Sequence, residues 1–215
     1  MLKLLGRKTS SNVMEVLWCC AEIGLEYDRE DVGGPFGRND DPEYLAMNPN
    51  GLVPTIIDDG FVMWESNAVI RYLSSKYAAG STIWPDDLQT RAEADKWMDW
   101  QLSVVGAMIT PIFWGLVRTE PEKRDMKAIE AAIKRGHTVW DMLDKHLEGR
   151  KFVAGDHLTL GDIPVGVHAF RWFSLVDDRP SMPNLEAWYA RLGERPAYRE
   201  HVVVPFEELH GRVEF

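Results

Sequence analysis

Side chains that could bind or activate an anion are grouped at residues 10–12, between a short apolar stretch and the first periodic segment. Ser10, Ser11 and Asn12 follow the apolar residues 1–6. Such side chains commonly occupy helix N-caps, where their oxygens accept hydrogen bonds from first-turn amides. A hydroxyl at the same place can instead donate a hydrogen bond to an anion, which the helix dipole also attracts. Capping and anion binding both stay open for these three residues.

A second pair of this kind, Glu65-Ser66, directly precedes a periodic segment at residues 66–77. Either side chain could cap the helix and complement its dipole. The first-turn amides beside them could equally bind a carboxylate. The two roles are compatible, because capping and ligand binding use the same end of the helix.

Cysteine and histidine give no sign of a metal or disulfide site. Cys19 and Cys20 are adjacent and cannot form a disulfide framework, which favours a reducing, cytoplasmic environment. All six histidines follow residue 136 and lack the spacing of metal ligands, so no metal site is predicted.

The overall charge argues against several classes of partner. The 215 residues include 24 basic and 34 acidic side chains, for a net charge of −10. Residues 1–80 contribute 7 basic and 12 acidic side chains, so each part of the chain, divided there, carries −5. Neither half therefore shows the basic excess that nucleic-acid binding needs. No continuous apolar run is long enough to span a membrane, and no signal-peptide core is present, so we expect no membrane partner.

Hydrophobic periodicity divides the chain into two unlike parts. Strands are predicted at 1–6, 25–32, 53–58 and 61–64, and helices at 12–24, 42–47 and 66–77, giving the order βαβαββα. Further helices are predicted at 90–114, 122–147, 160–176 and 184–192, with 202–204 ambiguous. We expect an α/β domain over residues 1–78, a linker over 79–87 and an all-helical domain over 88–215.

Four stretches carry a resemblance to a known family. They are SSNVMEVL at 10–17, NPNGLVPT at 48–55, WESNAVIRYL at 64–73 and TLGDI at 159–163, and their order and spacing count more than any one of them. Together they resemble the cytosolic glutathione S-transferases, in particular bacterial, theta- or nu-like members with an active-site serine. The resemblance implies a thioredoxin-like N-terminal domain that binds glutathione and a helical domain that holds the second substrate.

The resemblance also implies roles for the residues at the first strand–helix junction and at the proline. Ser10, with Ser11 and Asn12 as alternatives, would donate a hydrogen bond to the glutathione sulfur and favour its thiolate. The Val53-Pro54 peptide bond would be cis, so that the backbone of Val53 pairs with the cysteinyl part of glutathione.

The two ends of glutathione would be bound elsewhere. Glu65 would meet the ammonium group and Ser66 the γ-glutamyl carboxylate. Many relatives carry lysine where this chain has Leu52, so the glycine carboxylate would need Arg38 or Asn50 instead.

Two further residues lie in the helical part of the chain. Asp95 is either a residue that reaches across a homodimer to the neighbouring γ-glutamyl group or part of a solvated helix face. Trp114 would form a wall of a pocket for an apolar electrophile.

The expected activity is attack of the glutathione thiolate on an electrophilic small molecule, with glutathione as co-substrate and no other cofactor. Two alternatives stay open. One is a glutathione-dependent peroxidase or disulfide reductase of the same fold, and the other is a non-catalytic glutathione-binding module. A member that uses its own cysteine is disfavoured, because residues 9–12 contain none.

Overall fold

The computed structural model describes residues 1–212. The N-terminal part of the chain forms a sheet with three helices. Its predicted order, βαβαββα, is confirmed. The elements are β1 (Leu2–Leu5), α1 (Ser11–Glu22), β2 (Tyr27–Glu30), a 3₁₀ turn (Gly34–Phe36), α2 (Pro42–Met47), β3 (Thr55–Asp58), β4 (Phe61–Trp64) and α3 (Ser66–Tyr77).

The four strands form one mixed sheet in the order β2-β1-β3-β4. β1 pairs with β2 in parallel and with β3 antiparallel, and β3 pairs antiparallel with β4. Thr55, the first residue of β3, lies opposite both Leu5 and Trp64, which end β1 and β4. The loops that follow β1 and β4 therefore leave the sheet at the same edge as the loop that enters β3.

The rest of the described chain is helical, as predicted. The elements are α4 (Leu88–Trp100), a π-helical turn (Gln101–Val105), α5 (Gly106–Phe113), a second π-helical turn (Trp114–Arg118), a 3₁₀ turn (Pro121–Lys123), α6 (Met126–His146), α7 (Asp162–Leu175), α8 (Pro183–Gly193), α9 (Pro196–His201) and a 3₁₀ turn (Glu207–Leu209). The ambiguous segment 202–204 forms no strand. The last three residues of the predicted helical domain, 213–215, lie outside the described residues.

One helical segment, from Leu88 to Arg118, runs without interruption through Pro111. Its most apolar 18-residue stretch has a mean hydropathy of 1.5, enough by length and composition alone for a membrane-spanning helix. Core helices of water-soluble proteins meet the same criterion, and parts of this segment pack against α6 and α7. Its length lets one helix line the site at one end and contact α3 near the other.

The helical part holds α1 in place. Trp18 packs edge-to-face against Tyr198 with ring centroids 4.8 Å apart. Arg195 donates two hydrogen bonds to the Glu22 carboxylate, at 2.7 and 2.5 Å. The N-terminus of α1 is thus positioned by contacts to α9 as well as by the sheet.

Asp162, at the start of α7, connects the segments around it. Its buried carboxylate accepts hydrogen bonds from the backbone amides of Val153 and Thr159 and from Nε1 of Trp188, at 3.0, 2.9 and 2.9 Å. The bond from Thr159 is the reciprocal bond of a capping box. Burial raises the pKa of Asp162 to about 6 although these donors oppose the shift.

We expect Asp162→Ala to lower the free energy of unfolding by about 3 kcal/mol or more, because three buried donors lose their acceptor. Urea unfolding monitored by circular dichroism measures the change, with the exposed Asp156→Ala as control. A loss below about 1 kcal/mol would show that water satisfies these donors and that the network contributes little.

Candidate functional site

The sheet register brings three of the predicted site segments to one edge. Ser10 lies in the connection after β1, Pro54 directly precedes β3, and Glu65 directly follows β4. Because Thr55 lies opposite the last residues of both β1 and β4, these three segments are neighbours in space. Ser10, Val53-Pro54 and Glu65-Ser66 therefore border one region although up to 56 positions separate them in sequence.

A cavity of about 430 Å³ opens beside this edge, between the sheet and the helical part. Five of the predicted site residues line it: Ser10, Ser11, Asn12, Val53 and Trp114. The other described residues along its wall are Arg7, Gly33, Asn39, Gly51, Leu52, Gln101, Leu102, Gly106, Thr110, Phe113, Arg118, His168 and Arg171. Polar groups come from both parts of the chain, and the apolar surface comes mainly from the helix that includes Phe113.

Ser10 is the N-cap residue of α1 by position, with extended backbone angles of φ −77° and ψ 127°. Its carbonyl accepts the Met14 amide at 2.9 Å, but its side chain makes no capping hydrogen bond within the described chain. The capping interpretation of the Ser10 hydroxyl is therefore wrong. The hydroxyl lies at the cavity wall beside the first-turn amides of a helix, where a positive potential favours an anion.

The side chains next to Ser10, those of Ser11 and Asn12, contact each other. The Ser11 hydroxyl is 3.5 Å from the side-chain oxygen of Asn12, a long and weak contact. Both residues line the cavity with Ser10, and the geometry leaves each within reach of a bound ligand. We therefore keep Ser11 and Asn12 as alternatives, as the sequence predicts them.

The Val53-Pro54 peptide bond is cis, which confirms the prediction for this bond. Val53 lies at the cavity wall and packs closely on the loops from β1 and β2. A Cβ added at Gly6 would lie 3.3 Å from the Val53 Cβ and only 2.5 Å from a methyl group of Val13. Glycine is thus required at residue 6 for Val53 and α1 to approach the sheet this closely.

Glu65 holds a strained backbone conformation at the start of α3. Its φ of 71° lies in the left-handed region, which costs a residue with a side chain about 1–3 kcal/mol. Glu65 is the N-cap residue but its exposed side chain makes no capping hydrogen bond with any described residue, so the capping interpretation is wrong for it too. Strain of this kind often marks a functional site.

Ser66 is the first residue of α3 and is buried. Neither Glu65 nor Ser66 lines the 430 Å³ cavity, and both border the same sheet edge to one side of it. Their roles toward a ligand stay predictions.

Arg38 and Asn50 lie outside this cavity. The Arg38 guanidinium forms an ion pair with Glu30, which also pairs with Lys3 at 2.8 Å. These two cations lower the pKa of Glu30 to about 2. The Asn50 side chain donates a hydrogen bond to Asn48 at 3.1 Å.

Asp95 also has a partner within the chain. Its carboxylate accepts a hydrogen bond from Nε of Arg71 at 2.6 Å, which connects α4 to α3. The sequence predicts either a solvated helix face or a contact across a homodimer. In the structure, the Asp95 carboxylate forms this ion pair within the chain, and the Asp95 side chain is still partly exposed.

Sequence reasoning missed three arginines that line the cavity: Arg7, Arg118 and Arg171. They come from the β1–α1 loop, from the end of the helix after α5 and from α7, so no spacing in the sequence groups them. Nor did the charge count find them, because each part of the chain is acidic overall. Folding concentrates positive charge in one cavity of an acidic protein.

Asn39 is a further missed residue. It lines the cavity and donates a side-chain hydrogen bond to the Gly51 carbonyl at 2.8 Å. It is adjacent in sequence to Arg38, which the sequence predicts for the glycine carboxylate, and unlike Arg38 it lines the cavity.

The two cysteines are core residues. Cys19 and Cys20 are buried in α1, and burial raises the pKa of the Cys19 thiol to about 12. Within residues 1–212, no three His, Cys, Asp or Glu side chains are close enough to hold a metal ion.

Glu15 is a buried acid behind the cavity, on the first turns of α1. Its carboxyl oxygens make no well-formed hydrogen bond with the described residues, although the Ser66 hydroxyl lies near them. Burial raises the pKa of Glu15 to about 7, and the Ser66 hydroxyl and the Arg171 guanidinium oppose this shift. The carboxyl group is thus held near α3 and α7 at the junction of the two parts of the chain.

Comparison with known proteins gives consistent matches over nearly the whole chain. Residues 9–76 match the family model described as glutathione S-transferase, N-terminal domain, and residues 126–191 match the C-terminal domain model of that family. Glutathione S-transferase GstB of Escherichia coli is 42% identical over 95% of this chain and 99% of its own length. Glutathione S-transferase D7 of Drosophila melanogaster is 32% identical over 77% of this chain and 72% of its own.

A solved structure agrees with these matches. The theta class glutathione S-transferase from Xanthomonas axonopodis pv. citri, crystallised with glutathione bound, superposes with a TM-score of 0.91. It is 42% identical in sequence and the match covers 95% of this chain and 98% of that protein.

We expect Glu15→Gln to gain stability relative to the wild type as the pH rises from about 5 to 8. The raised pKa makes the folded wild type hold a proton that the unfolded chain has released, so its stability falls between about pH 4.5 and 7. The full difference is at most about 3–4 kcal/mol, since 2.5 pKa units each correspond to about 1.4 kcal/mol. Urea unfolding at several pH values measures it.

The exposed Glu130→Gln on α6 is the control and should follow the wild-type curve. A stability difference for Glu15→Gln that is independent of pH would contradict the assigned protonation of Glu15.

Proposed function

This chain belongs to the glutathione S-transferase family, and we propose that it catalyses attack of the glutathione thiolate on an electrophilic carbon of a second substrate. The observation that supports this activity most is the Ser10 hydroxyl at the start of α1. It borders the cavity and makes no capping bond within residues 1–212. The hydroxyl can therefore donate a hydrogen bond to a sulfur anion placed there.

The energy that the chemistry needs is within reach of these groups. A free thiol has a pKa of about 8.5, and each unit of lowering takes about 1.4 kcal/mol. A hydrogen bond to a charged group contributes about 1.5–3 kcal/mol, and a helix N-terminus about 0.3–1 kcal/mol. Together they lower the thiol pKa by about one to three units, so that a large fraction is thiolate near neutral pH.

The reaction needs no other cofactor or metal. The thiol releases its proton to solvent, the sulfur forms a bond to carbon, and the leaving group departs with its electron pair. The apolar wall at Phe113 and Trp114 would accommodate the second substrate. The protein's own thiols cannot take this part, because the buried Cys19 has its pKa raised to about 12.

For glutathione itself, we propose contacts along the sheet edge. The Val53 backbone would pair with the cysteinyl part, and Glu65 and Ser66 would bind the γ-glutamyl end. For the glycine carboxylate, Asn39 at the cavity wall is better placed than Arg38, which pairs with Glu30.

We also propose that the protein acts in the cytoplasm, in detoxification, as a homodimer. Apolar side chains that remain exposed on β4 and at the start of α4 support an interface with a second copy: Phe61 and Leu88 are more than half exposed. Asp95 lies on α4, which begins at Leu88, and Arg71 lies on α3, which follows β4 in sequence.

The proposed activity predicts a glutathione conjugate of 4-nitrobenzyl chloride and a matching release of chloride. Mass spectrometry and chloride titration measure both products. Cumene hydroperoxide is the second arm, because a peroxidase of the same fold would oxidise glutathione with it and form no conjugate. Peroxide reduction without conjugation would replace the transferase proposal. Glutathione binding with neither reaction would indicate a binding module.

We expect Ser10→Ala to lower kcat by about ten- to a hundredfold with little change in glutathione affinity. The lost hydrogen bond to the thiolate accounts for about 1.5–3 kcal/mol, at about 1.4 kcal/mol per factor of ten. Turnover and calorimetric titration with glutathione measure the two effects. Ser10→Thr, which keeps a hydroxyl, should restore part of the rate. A larger loss in Ser11→Ala or Asn12→Ala than in Ser10→Ala would move the role to that residue.

A further inference from the structure

The cavity beside Ser10 has a positively charged wall. Arg7, Arg118 and Arg171 line it, and no acidic side chain of the described residues does. The chain as a whole has ten more acidic than basic side chains, so this concentration does not follow from composition. Three like charges at one small cavity repel one another, and such an arrangement is stable only if something compensates it.

Burial makes this arrangement costly. Arg7 and Arg118 are each 5% exposed. The Nε atoms of Arg7 and Arg171 are buried without a hydrogen-bond partner among residues 1–212. Burial and the neighbouring arginines Arg118 and Arg7 lower the pKa of Arg171 to about 9, and burial and Arg118 lower that of Arg7. An anion in the cavity would therefore stabilise the charges of Arg7 and Arg171.

Among residues 1–212, the acids near Arg7 and Arg171 compensate the charge of these two arginines only in part. Glu15 is close enough to Arg171 to raise its pKa, and Glu208 does the same for Arg7. Glu15 lies behind the wall with a pKa of about 7, and Glu208 is exposed. Neither lines the cavity, so neither shields the wall from a ligand.

Aromatic rings fix two of the guanidinium groups beside the apolar wall. Arg171 lies 3.9 Å over the ring of Phe113, and Arg118 lies 4.9 Å over Trp114 and donates to the Arg212 carbonyl at 3.3 Å. Stacking of this kind holds a guanidinium while leaving its edge to donate hydrogen bonds. The wall thus combines apolar surface with positioned donors.

Arg7 is positioned by its own loop. A Cβ added at Gly34, whose φ is 58°, would lie 2.9 Å from the Arg7 Nε. The loop after β2 therefore closes over the Arg7 side chain. Arg7 is only three residues before Ser10 and lines the same cavity as Arg118 and Arg171.

We propose that the second substrate of this enzyme is an electrophile that carries a carboxylate or a similar small anionic group beside an apolar part. This inference rests on the proposed transferase function and names its substrate class. The anionic group would bind Arg118 and Arg171, the apolar part would pack on Phe113 and Trp114, and the reacting carbon would face the sulfur near Ser10. Guanidinium groups suit this role because they bind a carboxylate with paired hydrogen bonds.

A matched pair of electrophiles tests the substrate class: 4-(chloromethyl)benzoate and 4-(chloromethyl)benzamide. They share shape and leaving group, and in both the carbon–sulfur bond forms as chloride departs. We expect kcat/KM for the acid to exceed that for the amide by at least tenfold. Because the comparison is a ratio, effects of the arginines on the thiolate itself cancel.

Variants at the cavity arginines then test whether these residues cause the preference for the acid over the amide. Arg118→Gln and Arg171→Gln should each lower the acid-to-amide ratio by tenfold or more, while Arg150→Gln, at an exposed arginine outside the cavity, should keep the wild-type ratio. If a cavity variant does not fold, calorimetry on the wild type decides between 4-methylbenzoate and 4-methylbenzamide, and the acid should bind at least tenfold more tightly in the presence of glutathione.

Two results would overturn this inference while leaving the transferase intact. One is turnover of the amide as fast as the acid. The other is a tenfold rise in the glutathione KM of the arginine variants at an unchanged ratio, which would assign these residues to the glutathione carboxylates. Conjugation of 4-nitrobenzyl chloride with no chloride release from either compound would also overturn the inference, whereas no chloride release from any of the three would contradict the proposed function itself.

Discussion

The site depends on the electrostatic attraction of an anion to the cavity beside the N-terminus of α1. The N-terminus of α1 directs first-turn amides toward the cavity, and Ser10 adds a hydroxyl that makes no capping bond within the described chain. Arginines from the opposite wall add full positive charges in a partly buried setting, where electrostatic interactions are stronger than in water. A sulfur anion gains from all three sources at once.

The rest of the fold can be understood as the support of that arrangement. The sheet sets the edge at which Ser10, Val53 and Glu65 meet. The helical part holds α1 from behind, through Trp18 against Tyr198 and through the ion pair of Glu22 with Arg195. Close packing at this junction leaves little tolerance, because a Cβ added at Gly166 on α7 would lie 3.0 Å from the Trp18 ring. We infer that α1 cannot tilt without disturbing α7 and α9.

Sequence reasoning recovers what depends on local pattern. Periodicity and turn residues predict every strand and helix of the N-terminal part, and α3 begins and ends at the predicted residues. Family spacing predicts that Ser10 and Val53 are close together, and the sheet register shows the physical reason.

Sequence reasoning does not predict side-chain positions that depend on tertiary contacts. Arg38 has a left-handed backbone, with φ 69°, and its side chain pairs with Glu30 rather than facing the cavity. The capping roles that the sequence leaves open for Ser10 and Glu65 are not realised by their side chains within residues 1–212. Arg7, Arg118 and Arg171 are distant in sequence, so only the packed structure reveals that they share a wall.

The pKa of the thiol of glutathione bound to the wild-type protein tests the central claim most directly. Ultraviolet absorbance of the thiolate, followed as a function of pH with glutathione at saturation, measures this pKa in a single titration. The account predicts a value at least one unit below the value of about 8.5 of a free thiol. A bound thiol that titrates like free glutathione would contradict it.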